Sequence, residues 1–186
     1  GRKVQNCHPP ASVDKVLRIV EDFKSGKEQL ENGITTELDP RIGYFNIGNQ
    51  WVASGILEWA RKNMFSDLKE NVYEQMISGA EKVPPGSNGI KVIPKFYEEL
   101  KGKPGGQITG LTMESTRDEI YRAILEALAL RLSEGKAALE KAGGFKTDSI
   151  LCVGGGSKNR LWNKLRADYT GVPVKVIDQK ETTVLG

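Results

Sequence analysis

The chain has 186 residues, 38% of them hydrophobic, which is enough for one globular core with a side layer. Its 27 basic and 24 acidic residues are interspersed and leave a formal net charge of +3, which does not indicate a nucleic-acid-binding protein. No apolar run reaches the roughly 18–20 residues that a membrane helix needs, and the N-terminal stretch GRKVQNCHPP lacks the apolar core of a signal peptide. Cys7 and Cys152 are too few for a disulfide framework. These features predict a cytoplasmic protein, with Cys152 as a reduced thiol buried in a strand.

The first third of the chain contains few clear signals. Residues 1–36 are an N-terminal segment without a firm assignment, in which one amphipathic helix is predicted from Ala11 to Phe23. GYFNIGNQW, residues 43–51, is rich in turn-forming and aromatic residues. A helix is predicted over NQWVASGILEWARKNMF, residues 49–65.

The pattern of residues 66–110 predicts a helix, a turn that ends it, a short strand and a loop. Ser66 is the expected N-cap of the helix. The prolines and glycines of VPPGSNG, residues 83–89, mark its end. IKVIPKF, residues 90–96, is a strand candidate, whereas KGKPGGQITG, residues 101–110, is expected to be a flexible loop.

The longest predicted helix follows, with Ser115 as its N-cap and Gly143-Gly144 at its end. Asp118 and Glu119 fall in its first turn, where the helix dipole favours acidic side chains. Apolar residues then recur at helical spacing, and core packing is the simplest interpretation of this stripe. Its members are Ile120, Ala123, Ile124, Ala127, Leu128 and Leu132.

The C-terminal part has the pattern of a strand, a glycine turn, a helix and a second strand. SILCV (residues 149–153) precedes the glycines, a helix through LWNKLRADYT is expected to end at Gly171, and VPVKVI (residues 172–177) follows. This order predicts a parallel βαβ unit with a right-handed crossover. The helices before it predict an α/β layered domain.

Gly154, Gly155 and Gly156 lie where a buried strand meets the start of a helix. Glycines let a ligand touch the backbone, and a helix start offers free N–H groups and the positive end of its dipole. Ligands of open α/β sheets bind at the carboxyl ends of strands, so one interpretation is a nucleotide site. The other is that the glycines only permit close packing.

Two phosphate-binding motifs can be compared with this stretch. The P-loop pattern G-x-x-x-x-G-K-[ST] does not occur. The dinucleotide fingerprint G-x-G-x-x-G is nearly matched by Gly154 and Gly156, and Asp178 would suit a ribose hydroxyl. Asn159 stands at the last glycine position, however, and its carboxamide suits the edge of a purine or a ribose. A dinucleotide-binding, Rossmann-like module and an α/β interaction domain without a ligand both stay open as alternatives.

Several linked stretches resemble successive landmarks of the FGGY carbohydrate kinases, in order and in spacing. These stretches are VPPGSNGI, GLTMESTRDEIYRAILEALALRL, VGGGSKNRLWNKLRADYTGVPVKV and ETTVLG. The resemblance covers roughly residues 39–186. It implies an actin-like ATPase fold of the ribonuclease H-like type, with two domains and ATP in the cleft between them. Residues 37–186 are then expected to be the C-terminal nucleotide-binding domain, truncated at both ends, of a sugar kinase that uses ATP and Mg²⁺.

Some features of the family are not found in this chain. The family's N-terminal domain carries the aspartate that takes the sugar hydroxyl proton, so no catalytic residue is expected here and the chain alone is expected to be inactive. The family's SSGTW strand is not recognisable. KGKPGGQITGLT stands where many relatives have a GERxP-type stretch before GLT.

The resemblance also implies which residues bind the nucleotide. Gly155 and Asn159 match the glycine and asparagine that hold the adenosine end in relatives. Ser54 and Glu58 match positions on the other side of the nucleotide, although some relatives have Gly and Gln there. The loop is completed by Gly154, Gly156, Ser157 and Lys158. For Lys158, a solvated surface lysine is the favoured interpretation over a phosphate contact.

The expected partners are a small sugar and ATP, with no nucleic acid and no membrane. Whether the protein forms a homo-oligomer is left open. His8 is the only histidine and lies beside Cys7. Two ligands do not make a metal site by themselves, so these residues are interpreted as part of a loop.

Overall fold

The computed structural model describes residues 34–38, 45–49, 53–96 and 105–177. Its strands are β1 (Ile34–Leu38), β2 (Phe45–Asn49), β3 (Lys91–Ile93), β4 (Gln107–Thr109), β5 (Ile150–Cys152) and β6 (Val174–Val176). Its helices are α1 (Ser54–Met64), α2 (Val72–Glu81), α3 (Arg117–Gly143) and α4 (Arg160–Thr170). The helix predicted from Ala11 to Phe23 lies outside these residues. None of the helices described is long and apolar enough to cross a bilayer.

Helix α3 is the centre of the core. The buried face of this helix contains the predicted apolar stripe and is wider than the stripe, because α1, α2, β3 and α4 all pack against the helix. Its largest buried side chain is that of Tyr121, which is fully enclosed and meets the Phe65 ring edge-on with centroids 5.8 Å apart. The helix ends as predicted: Gly144 has φ +65°, and its N–H donates to the Glu140 carbonyl oxygen at 2.9 Å.

The βαβ unit predicted for the C-terminal part is confirmed. Strands β5 and β6 are parallel, with Ile150 opposite Val174 and Cys152 opposite Val176. Helix α4 lies between them in the chain and packs on α3. It ends at Gly171, whose φ is +68°. This unit places the glycine turn at the carboxyl end of β5.

Two strand pairings were not predicted from the sequence. Strands β1 and β2 are antiparallel, with Ile34 opposite Asn49 and Leu38 opposite Phe45. Strand β4 lies within the stretch expected to be a flexible loop, and it pairs antiparallel with β3. Short strands depend on their cross-strand neighbours more than on their own residues, which is why the local patterns missed them.

Three predicted helix starts are wrong. Helix α1 begins at Ser54, with Ala53 as its N-cap, whereas Asn49, the predicted start, is the last residue of β2. Helix α2 begins at Val72, six residues after the predicted N-cap Ser66. The N-cap of α3 is Thr116 and not Ser115, because Thr116 forms a capping box with Glu119. In that box the Thr116 N–H donates to Glu119 Oε2 at 2.7 Å.

Candidate functional site

The three glycines after β5 have different environments. Gly154 has φ +80°, a conformation that L side chains rarely adopt. A Cβ on Gly155 would meet no heavy atom within 4 Å, so the backbone is open there. A Cβ on Gly156 would lie 2.9 Å from Trp162 Cζ3, which is too close. Packing therefore explains Gly156, whereas Gly155 leaves the backbone accessible to a ligand.

Ser157 closes the glycine turn from inside. Its side chain is buried, and its Oγ donates to the Gly154 carbonyl oxygen at 2.6 Å. Its own carbonyl oxygen accepts from Asn163 Nδ2, also at 2.6 Å, which ties the turn to helix α4. Ser157 thus holds the shape of the loop.

The buried carboxamide of Asn159 has partners on both of its ends. Its Oδ1 accepts from the Trp162 N–H at 2.9 Å, so Asn159 is the N-cap of α4. Its Nδ2 donates to the Tyr121 hydroxyl at 3.2 Å, which links α4 to α3. Burial raises the pKa of Tyr121 well above its usual range, so this phenol stays protonated. The sequence had suggested a carboxamide that reads a purine or ribose, and the structure adds a capping role.

A cavity of about 700 Å³ opens beside the glycine turn. Its walls come from the start of α1, from α2, α3 and α4, and from β5 with the turn that follows. Predicted site residues that line it are Ser54, Gly154, Gly155, Gly156, Lys158 and Asn159. Cys152 lines it too, as a half-buried free thiol and not the fully buried one predicted. The structure therefore brings six of the eight predicted residues to one cavity.

Glu58 and Ser157 are the two predicted residues that do not line the cavity. The Glu58 carboxylate accepts from Arg61 Nη2 at 2.6 Å and from the Tyr73 hydroxyl at 2.7 Å. These bonds, first the one from Arg61, lower the pKa of Glu58 to about 2. Tyr73 itself lines the cavity, so Glu58 is bonded to a ring of the cavity wall without lining the cavity itself.

An ion-pair cluster joins two walls of the cavity. Arg160, the first residue of α4, donates through Nη1 to Glu74 Oε2 at 2.6 Å and through Nη2 to Glu81 Oε2 at 2.7 Å. Both carboxylates belong to α2, and Glu74 lines the cavity. Arg160 lowers the pKa of Glu74. The pairs are solvent-exposed, so they set the spacing of α2 and α4 more than they add stability.

Sequence reasoning missed Trp162 and Arg166, which are buried and half-buried on the cavity wall formed by α4. The Arg166 guanidinium lies 3.6 Å above the Trp162 ring centroid. Their spacing of four residues was the available signal, since it puts both side chains on one helical face behind the glycine turn. Within the residues described, no group of three or more His, Cys, Asp and Glu could hold a metal ion.

Known proteins match this chain over most of its length. The model of the FGGY family of carbohydrate kinases, C-terminal domain, matches residues 25–186. The L-fuculokinase of Escherichia coli (strain K12) is 42% identical over 154 residues, which are 83% of this chain and 31% of the relative. The L-fuculokinase of Haemophilus influenzae is 40% identical over 161 residues, 86% of this chain and 34% of the relative. The chain thus spans about a third of the length of these curated relatives.

Solved structures share the fold. The xylulose kinase from Rhodospirillum rubrum matches with a TM-score of 0.70 and 28% identity, over 77% of this chain and 30% of that one. The glycerol kinase from Plasmodium falciparum matches with a TM-score of 0.66 and 23% identity, over 83% of this chain and 32% of that one. These likenesses show that the chain shares the fold of about a third of each of these kinases.

Proposed function

Because this chain belongs to the FGGY family of carbohydrate kinases as its C-terminal domain, we propose that it forms the nucleotide-binding wall of an ATP-dependent sugar kinase. The observation that carries the proposal is the cavity at the carboxyl end of β5, whose rim includes the open backbone of Gly155. The fold is proposed to be the actin-like, ribonuclease H-like ATPase type. Residues 37–186 are proposed as the domain, and residues 1–36 as a segment before it.

The proposed substrate is L-fuculose. The identity of about 40% to L-fuculokinases supports this choice, as do the stretches ELDPRIGYFNIGNQWVASGILEWARK and EKAGGFKTDSILCVGGGSKN. The glycerol kinase of Listeria monocytogenes is less similar, at 31% identity over 166 residues. Kinases of xylulose or autoinducer-2 are the alternatives within the family. The dinucleotide-binding module and the ligand-free interaction domain are not favoured by these relatives.

The chemistry of the proposed reaction places few demands on this domain. The γ-phosphoryl group moves in line to a sugar hydroxyl, and catalysis is mostly positioning and charge stabilisation. The turn at Gly155 and the start of α4 would hold the nucleotide, with Ser54 on the opposite wall. The apolar walls from α1 and α3 would exclude water from it.

Two components of the reaction are expected to come from outside the described residues. Glu74 is the carboxylate that lines the cavity, and Arg160 holds it in an ion pair, so it is not free to act as the general base. The described residues also form no metal-ligand cluster, and they do not fit a Mg²⁺ site of their own. We therefore expect that cation to be held by nucleotide phosphates and other parts of the kinase.

The test uses this chain and a polypeptide of the relatives' full length, side by side. Titration of ADP into the chain should show weak binding. A coupled ADP-release assay should show no turnover by the chain, and turnover by the longer protein with L-fuculose in preference to D-xylulose. Robust turnover by the chain alone would contradict the proposed division of labour. A longer protein that uses another ketose but not L-fuculose would keep the kinase and reject the substrate.

A further inference from the structure

Among the arginines that the structure describes, Arg166 differs from the others in having no carboxylate partner. The structure describes six arginines, and five of them form ion pairs with a carboxylate: Arg61, Arg117, Arg122, Arg131 and Arg160. Arg166 is half-buried, and this burial lowers its pKa, which reflects the cost of keeping a charge away from water. Charges in such places are normally paired. Among the described residues, no carboxylate pairs with this cation, and the ionisable group beside it is the Cys152 thiol, which also lines the cavity.

The guanidinium of Arg166 is held in place by Trp162 and Asn163, and the Cys152 thiol lies beside it. One face stacks on the Trp162 ring at 3.6 Å from its centroid. Its Nη1 donates to Asn163 Oδ1 at 2.7 Å, and Asn163 in turn donates to the Ser157 carbonyl oxygen. A planar guanidinium fixed in this way loses little further freedom when it binds an oxyanion.

The Nη2 end of this guanidinium is near the glycine turn. Its Nη2 is 3.8 Å from the position that a Cβ on Gly156 would occupy. Arg166, Gly155 and Gly156 all line the same cavity. An anionic group bound against the turn would thus meet a positive charge and several backbone groups together.

We propose that Arg166 binds the α-phosphate of the nucleotide, a step that rests on the proposed function above. A nucleoside is neutral, whereas a nucleotide supplies the missing negative charge. Gly155 and Asn159 are proposed to hold the adenosine end, and the α-phosphate is the first charged group next to it. Two N–H groups directed at one phosphate make a charge-assisted contact that neutral ligands cannot form.

The alternative role for Arg166 is to brace the glycine turn through Asn163 and Trp162. The two roles predict different ligand dependence. A brace affects every ligand of the turn, including adenosine, whereas a phosphate contact affects only ligands that carry the α-phosphate.

The experiment measures the affinity of the 186-residue chain for adenosine, AMP and ADP by calorimetry. Arg166→Gln should weaken AMP and ADP binding at least tenfold and leave adenosine within twofold. Lys164→Gln is the matched control, because it removes one positive charge from an exposed position of the same helix. It should bind all three ligands like the parent.

Equal losses for adenosine and AMP, or no loss for either, would overturn the inference. If circular dichroism shows that Arg166→Gln does not fold, Arg166→Lys decides instead. Lysine lacks the planar fork, so AMP should weaken several-fold more than adenosine, and an unchanged ratio overturns the proposal. A parent that binds none of the three ligands overturns the proposed function, and the inference with it.

Discussion

Each glycine of the turn after β5 responds differently to an added side chain. At Gly155 the space is open and belongs to the cavity, whereas at Gly156 the Trp162 ring occupies it. The run of three glycines therefore combines a ligand-facing position with a packing position. The sequence alone could not separate these two interpretations, and a pair of substitutions can.

Gly155→Val should weaken binding of an ATP analogue at least tenfold, which is about 1.4 kcal/mol, because its side chain enters the cavity. The fold should be unaffected, since a Cβ there meets nothing within 4 Å. Gly156→Ala is the counterpart and should cost about 1–3 kcal/mol of stability through overpacking against Trp162. Calorimetric titration and thermal unfolding measure both effects. Equal affinity of Gly155→Val and the parent would remove the nucleotide interpretation of this turn.

Asn159 is expected to stabilise both the start of α4 and its contact with α3. Asn159→Ala removes the acceptor of the Trp162 N–H and the donor to Tyr121. Loss of such a cap costs about 0.5–2 kcal/mol. Asn159→Asp keeps an acceptor at the N-cap, where the helix dipole favours a negative charge, so it should stay closer to the parent. Urea unfolding of the three proteins gives the comparison, and identical curves for Ala and Asp would exclude the capping role.

At the scale of elements, a buried ion pair fixes α2 and the turn after it against α3. Glu126 accepts from Arg122 Nε at 2.9 Å, from the Gly86 N–H at 3.1 Å and from Ser87 Oγ at 3.0 Å. Arg122 also donates to the Ala80 carbonyl oxygen at the end of α2, at 3.2 Å. The turn needs such support because Ser87 has φ +49°, a strained conformation for a residue other than glycine.

Glu126→Leu leaves the Arg122 charge buried and unpaired, so we expect it to cost about 3–5 kcal/mol of unfolding free energy. The double variant Arg122→Met with Glu126→Leu removes both charges and should recover much of that loss, since buried pairs replaced by apolar residues are often neutral. Denaturant unfolding of the single and double variants measures this. A double variant no more stable than the single one would contradict the explanation.

For the whole molecule, stability should depend on pH through carboxylates that are paired in the folded state. Hydrogen bonds from basic or amide side chains, or from the backbone, lower the pKa of each. They are Glu58, Asp67, Glu74, Glu119 and Glu140. The pKa of Glu58 falls from 4.5 to about 2. A lowered folded-state pKa gives stability that is complete above the unfolded pKa and is lost as the pH falls through the folded value.

The midpoint of thermal unfolding should therefore be constant from neutral pH down to about pH 5 and fall steeply below about pH 4.5. These pairs are largely exposed, so about 1 M salt should reduce the acid effect by screening. Glu58→Gln should have a shallower acid slope than the parent. A midpoint that stays constant down to about pH 3 would refute this account.

The sequence by itself determined the elements whose signals are local. The ends of α3 and α4 follow from Gly144 and Gly171, because each of these glycines adopts a positive φ that closes its helix. The parallel pairing of β5 and β6 follows from the strand, helix and strand order around α4. The place of the glycine turn beside a cavity follows from that same order.

Only the tertiary structure decided what depends on partners far along the chain. Strands β2 and β4 exist because β1 and β3 pair with them, which their own residues do not indicate. Asn159 bonds Tyr121, which is 38 residues away. Arg166 lines the cavity, and no carboxylate among the described residues lies within ion-pair distance of it, unlike the other five described arginines. The physical reason is the same in all three cases. Steric limits and hydrophobic periodicity depend on neighbouring residues, whereas strand pairing, burial and charge compensation arise only when distant segments of the chain pack together.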